Sequence, residues 1–125
     1  MNKAHLEFFT LDLTGGWQSP AGYPATITQK VLAGSLDEAV RRGSRTRLLR
    51  FEPGAFTTVP FEHEYWEEVF LFSGSLTVGG ETFRPLTYAC RPPHVPHGPF
   101  RSDEGCLLLE VHYFEQPNGI RELRE

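Results

Sequence analysis

Short runs of strand-forming residues, broken at even intervals by glycine and proline, dominate the chain from Thr46 onward. The runs are Thr46 to Phe51, Phe56 to Phe61, Glu67 to Phe72, Ser75 to Val78, Glu81 to Phe83, Tyr88 to Arg91, His97 to Phe100 and Cys106 to Phe114. Pro53-Gly54, Ser73-Gly74, Gly79-Gly80 and Pro92-Pro93-His94 supply the turn chemistry between them. Many short strands at regular spacing predict an all-β sandwich or barrel. Two earlier strands are expected, Leu6 to Leu11 and Ala25 to Leu32, with the turn-rich stretch Gly15 to Pro24 between them. Ser35 then stands three residues before Glu38, and Gly43 follows, which is the pattern of a capped helix. A short helical segment is therefore expected near residues 35–42 and nowhere else.

Alternation within the runs assigns faces. If Glu67 points inward, so do Val69 and Leu71, while Glu68, Phe70 and Phe72 point outward. Cys106, Leu108, Glu110 and His112 share one face of the last strand. Val69 to Phe72 is apolar on both faces, so the outer face needs a second layer, either the chain's own N-terminal strands or another subunit. A homodimer is the expected assembly.

At 125 residues the chain is expected to be one domain, 1–125, large enough to hold a core without staples. Ten Phe beside a single Met predict an aromatic-rich core. A net charge of −4, with no basic stripe interleaved with aromatics, argues against nucleic acid as partner. The one locally basic stretch, Arg41, Arg42, Arg45, Arg47 and Arg50, reads as a solvated loop and strand edge. No apolar stretch approaches the roughly 20 residues that span a bilayer, and no signal-peptide pattern opens the chain, so a cytoplasmic protein without membrane contact is expected. Cys90 and Cys106 read as two reduced, buried thiols.

The candidate chemistry lies between Gly54 and Arg101. Gly54, His63, Glu67 and Gly74 occupy four positions of the pattern G-x5-H-x-H-x3,4-E-x6-G, with Phe61 where its first histidine would stand. Pro92 and His97 occupy positions of the pattern G-x5-P-x-G-x2-H-x3-N, with His94 in place of its second glycine and Arg101 in place of its asparagine. These segments, about 54–74 and 80–101, resemble the two motifs of the cupin superfamily. The resemblance implies a small jelly-roll β-barrel in which His63, Glu67 and His97 converge on one divalent metal ion: Fe, Mn, Ni, Zn or Cu. Glu68 and His94 are the alternative ligands. A turn of this kind favours a positive φ at His94 and a solvent-facing side chain.

Phe61, Arg50, Arg91, Arg101, Glu110 and His112 are the candidates for lining a substrate pocket. Two histidines and one carboxylate leave coordination positions open for a small molecule and for dioxygen. The resemblance leaves two functions open. One is a metal-dependent oxidoreductase of dioxygenase type acting on a small organic molecule, with an arginine holding a substrate carboxylate. The other is a non-catalytic ligand-binding or sensory barrel, with or without metal.

Overall fold

The computed structural model describes residues 3–115, which form nine strands and no helix. β1 (Ile27–Asp37), β2 (Arg42–Phe51), β9 (Cys106–Tyr113), β4 (Trp66–Gly74) and β7 (Thr87–Arg91) build a five-stranded antiparallel sheet, in the spatial order β1-β2-β9-β4-β7. β3 (Ala55–Phe56), β8 (Phe100–Ser102), β5 (Leu76–Val78) and β6 (Glu81–Phe83) build a four-stranded one in the order β3-β8-β5-β6. The last strand pairs with both β2 and β4, so the chain crosses repeatedly between sheets, as a jelly roll requires. Among the described residues no helix is long and apolar enough to cross a membrane.

Alternation fills the space between the sheets. Leu49 and Phe51 of β2, Val69 and Leu71 of β4, and Leu108 of β9 meet Ala55 and Leu76 from the second sheet, with Phe83 and Phe100 packed against them. Glu67 shares the inward face with Val69 and Leu71, as the period of two demands, whereas Phe70 and Phe72 are open to solvent. Gly74 ends β4 at φ +78°, and a Cβ there would lie 1.8 Å from the Gly105 carbonyl oxygen. The closing glycine of the first motif is thus where two chain segments approach too closely for any side chain.

The helix expected near residues 35–42 does not form. β1 runs on through Asp37, pairing Gly34 with Arg45, Ser35 with Ser44 and Asp37 with Arg42. Asp37 Oδ1 instead accepts from the backbone N–H groups of Ala39 and Val40, closing a hairpin turn with the chemistry a helix cap would use. The expected strand Leu6 to Leu11 is absent too, and this arm meets the sheet through single contacts. Lys3 Nζ donates to Thr46 Oγ1, Lys30 Nζ donates to the Gly15 carbonyl, and Gln18 bridges to Gln29. Phe70, Phe72 and Tyr88 on the outer face stay exposed.

Two further expectations change. Cys106 is buried, but Cys90 is exposed, because β7 turns it outward opposite Glu68. The arginine-rich stretch is not all solvated. Arg47 is 3% exposed, and it lies two residues before Leu49 on the inward face. Arg45 is partly buried beneath the last strand.

Candidate metal centre

Strand register assembles one end of the barrel. Arg45 pairs with His112, His112 with Glu67, and Glu67 with Arg91, so four side chains on β2, β9, β4 and β7 form one transverse row. The next row inward pairs Arg47 with Glu110. Each lies on the inward face because it is in phase, by the period of two, with inward-facing residues of its own strand.

Hydrogen bonds run along the row. Arg45 donates through Nε to His112 Nδ1 at 3.1 Å, and its Nη2 lies 2.9 Å from the same nitrogen. Guanidinium is only a donor, so Nδ1 is the accepting nitrogen and Nε2 carries the proton. His112 Nε2 then donates to Glu67 Oε2 at 2.9 Å, while Arg91 Nη1 donates to Glu67 Oε1 at 2.9 Å. His112 is fully buried, and it therefore positions the Glu67 carboxylate.

The histidines of the two motifs arrive on paired loops. Phe61 N–H donates to the His97 carbonyl at 2.7 Å, His97 N–H donates back at 2.9 Å, and His94 N–H donates to the His63 carbonyl at 2.8 Å. This short ladder sets the His63 and His97 rings 4.9 Å apart between centroids. His97 Nε2 lies 3.4 Å from Glu67 Oε1, and His63 Nε2 lies 3.9 Å from Glu67 Oε2. All three ligand atoms fall within 4.8 Å of one another.

Both imidazoles offer Nε2. His97 Nδ1 is 3.1 Å from the Val95 carbonyl, which can only accept, so Nδ1 carries a proton and Nε2 is the nitrogen that a neutral ring would offer to a metal. His63 Nε2 is buried with no hydrogen-bond partner. Burial, only partly offset by Glu67 and Glu110 and reinforced by His97 and His112, pushes the His63 pKa down to about 4. The ring is neutral at physiological pH, the state a metal ligand needs. A buried imidazole nitrogen with no hydrogen-bond partner, beside a second imidazole nitrogen and a carboxylate, fits a divalent ion.

A second group of potential ligands, Glu67, Glu110 and His112, sits beside the first. Its charge is already balanced by protein. Arg47 Nε donates to Glu110 Oε1 at 2.8 Å and Nη1 donates to Gln29 Oε1 at 2.8 Å, and the His112 lone pair is taken by Arg45. Burial alone would raise the Glu110 pKa, but the Arg47 guanidinium, helped by His112, holds it well below the carboxylate range. This group braces the site.

Phe61 fills the place of the missing histidine. Its ring stacks on Tyr23 at 4.7 Å and lies 6.3 Å from the His63 ring and 6.2 Å from the His97 ring. Tyr23, Phe51, Phe100, Glu67, Arg91 and Glu110 help to line a narrow cavity of about 30 Å³ beside His97. Glu68 points outward, where Tyr88 and Tyr113 donate to it at 2.5 and 3.0 Å. His94 takes φ +69° and pairs at the surface with Glu64 at 3.3 Å. Arg50 lies outside the barrel over the Trp17 ring, 4.0 Å from its centroid, and Arg101 is exposed and donates to Asp103. Of the three arginine candidates, Arg91 alone borders the cavity.

Arg45, Arg47, Gln29 and Tyr23 escape the sequence reading. The period-two spacing of Arg45, Arg47, Leu49 and Phe51 carried the signal for the first two: an arginine in phase with core apolars faces the core.

No family model matches the chain, and no curated protein matches it in sequence. Solved structures do share its fold. An RmlC-like cupin from Shewanella frigidimarina superposes with a TM-score of 0.64 at 16% identity, over 94% of this chain and 98% of that one. An acetylacetone dioxygenase from Acinetobacter johnsonii gives 0.61 at 18% identity, over 95% and 85%. A polyketide cyclase from Streptomyces resistomycificus gives 0.62 at 19% identity, over 90% and 82%.

Proposed function

We propose that this small cupin barrel is a metal-dependent enzyme of dioxygenase type, acting on a small organic molecule, with His63, Glu67 and His97 holding one divalent ion. The observation that carries the reading is the unpartnered, buried His63 Nε2 beside the Nε2 of His97 and the Glu67 carboxylate. Dioxygenase and cyclase chemistries both occur on this fold, so fold alone does not choose the reaction.

A bound divalent ion supplies Lewis acidity at a coordinated oxygen and, for iron, manganese or copper, a one-electron couple. The chain's own contributions follow from the geometry. His112 holds one Glu67 oxygen in place and is itself fixed by Arg45. Phe61, Tyr23 and Phe100 form an apolar wall that excludes water and favours an apolar or aromatic body in the substrate. Burial raises the Tyr23 phenol above its ordinary pKa, so Tyr23 keeps its proton. Arg91 is placed to meet an anionic oxygen on the substrate.

Elemental analysis of the purified protein, with His63→Ala and His97→Ala variants, tests the centre. One ion per chain in the wild type and its loss in both variants is expected. Iron loading followed by oxygen uptake with a panel of diketones and phenols tests the reaction, and absence of uptake across the panel refutes the oxygenase reading. A second reading, a metal-free binding barrel, is favoured by one observation: Arg91 and His112 already satisfy both Glu67 oxygens. It predicts folded wild-type protein without stoichiometric metal.

A further inference from the structure

Beyond the cavity at His97, the barrel holds a larger one, of about 270 Å³, at the seam between the two sheets. β7 is the edge of one sheet and β6 the edge of the other, and among the described residues no strand closes the gap between them. Val69, Leu71, Leu76, Val78, Phe83 and Leu108 line this space. Four residues, Val69, Leu76, Arg91 and Leu108, border both cavities, so the two compartments meet at Arg91.

Arg91 is the cation at that junction. Its Nη1 bonds to Glu67, and among the described residues Glu67 is the one carboxylate in salt-bridge contact with it. The rest of its donor fork is open to an anion, and guanidinium accommodates a carboxylate through two parallel bonds. An apolar chamber ending at a single cation is complementary to an alkyl chain ending in a carboxylate.

We infer that the barrel binds a medium-chain carboxylate, its alkyl chain in the seam cavity and its head on Arg91 facing the His63–Glu67–His97 cluster. The position of the head beside a metal rests on the proposed metal centre; the two-part ligand pocket does not. When a divalent ion draws on Glu67, the Arg91 fork is released from that carboxylate and the anion is held more tightly.

Calorimetric titration of the full chain, metal-free and zinc-loaded, with propionate, hexanoate, octanoate and 1-octanol tests the inference. Each methylene buried contributes about a three- to fourfold gain in affinity, so octanoate binds about tenfold tighter than hexanoate, and propionate is weakest. Arg91→Gln lowers octanoate affinity by about tenfold and leaves 1-octanol unchanged. Ala89→Leu, which fills the seam cavity, weakens both. Amide shifts of the wild type on adding octanoate centre on Val78, Ala89 and Arg91, a readout that needs no variant to fold. Affinity independent of chain length, shifts centred elsewhere, or octanoate binding untouched by Arg91→Gln in a folded variant overturns the inference. Zinc binding without octanoate binding refutes this pocket and leaves the metal centre standing; octanoate binding without zinc binding does the reverse.

Discussion

Arg91 of β7 lies directly opposite Glu67 of β4, and its Nη1 donates to Glu67 Oε1 at 2.9 Å. The same oxygen is 3.4 Å from His97 Nε2. The guanidinium thus competes for the carboxylate that a metal ion would use, and its charge repels the ion. Arg91→Gln keeps a hydrogen-bond donor and removes the charge, so zinc affinity should rise by about tenfold. Competitive titration against a fluorescent chelator measures this, and unchanged or weaker affinity contradicts it.

His112 has a different effect, because it supports the ligand without opposing the ion. His112→Phe leaves the buried Glu67 Oε2 without its donor and the partly buried Arg45 without its acceptor. Stability should fall by about 2–4 kcal/mol, and zinc affinity by about 10–100-fold. Urea unfolding and zinc titration of the same sample separate the two effects. His112→Gln should recover part of each.

Phe61→His should supply the missing nitrogen. The ring already faces the His63 and His97 rings at 6.3 and 6.2 Å, on the same loop ladder. Zinc affinity should rise by about tenfold or more as a fourth protein ligand is added. Loss of the Tyr23 stacking contact should lower the melting temperature of the metal-free variant, so zinc stabilises it more than it does the wild type. A zinc affinity equal to wild type would show that residue 61 does not face the ion.

The Arg47–Glu110 pair sets an acid limit. The folded pKa of Glu110 is held well below its ordinary value of 4.5, since Arg47 and His112 together outweigh burial. A depressed carboxylate contributes stability that is fully present above the unfolded pKa and is lost as pH falls below it. Wild-type stability should therefore drop as the pH falls below about 4.5, more steeply than that of Glu110→Gln. At neutral pH Glu110→Gln should cost about 3–5 kcal/mol, because Arg47 is left buried and unpaired. Arg47→Met combined with Glu110→Leu should recover most of that loss. Chemical denaturation across the pH range measures all three.

The barrel and the end that gathers His63, Glu67 and His97 were legible because both depend on spacing. Period-two alternation identified the inward face of β4, and the motif intervals identified His63, Glu67 and His97, which the loop ladder brings together. The failures came from residues whose chemistry serves two structures equally. Ser35, Asp37 and Glu38 have the composition of a helix cap, yet Asp37 caps a turn, and pairing with β2 decides the outcome. Arg45 and Arg47 were read from charge as solvated. Their partners His112 and Glu110 are more than sixty positions away, and no local pattern announces that a neutralising group will arrive from so far along the chain.

The transverse row also fixes alignment during folding. An apolar strand sliding by two residues along its neighbours still meets apolar partners, and little penalises the error. Here the same slip would set Arg47 against Leu108 or His112, and strand β9 would carry Glu110 past the Arg47 that neutralises it. The polar end of the barrel is therefore a vernier for four strands, and chains that settle out of step are the ones that burial of unmatched charge expels.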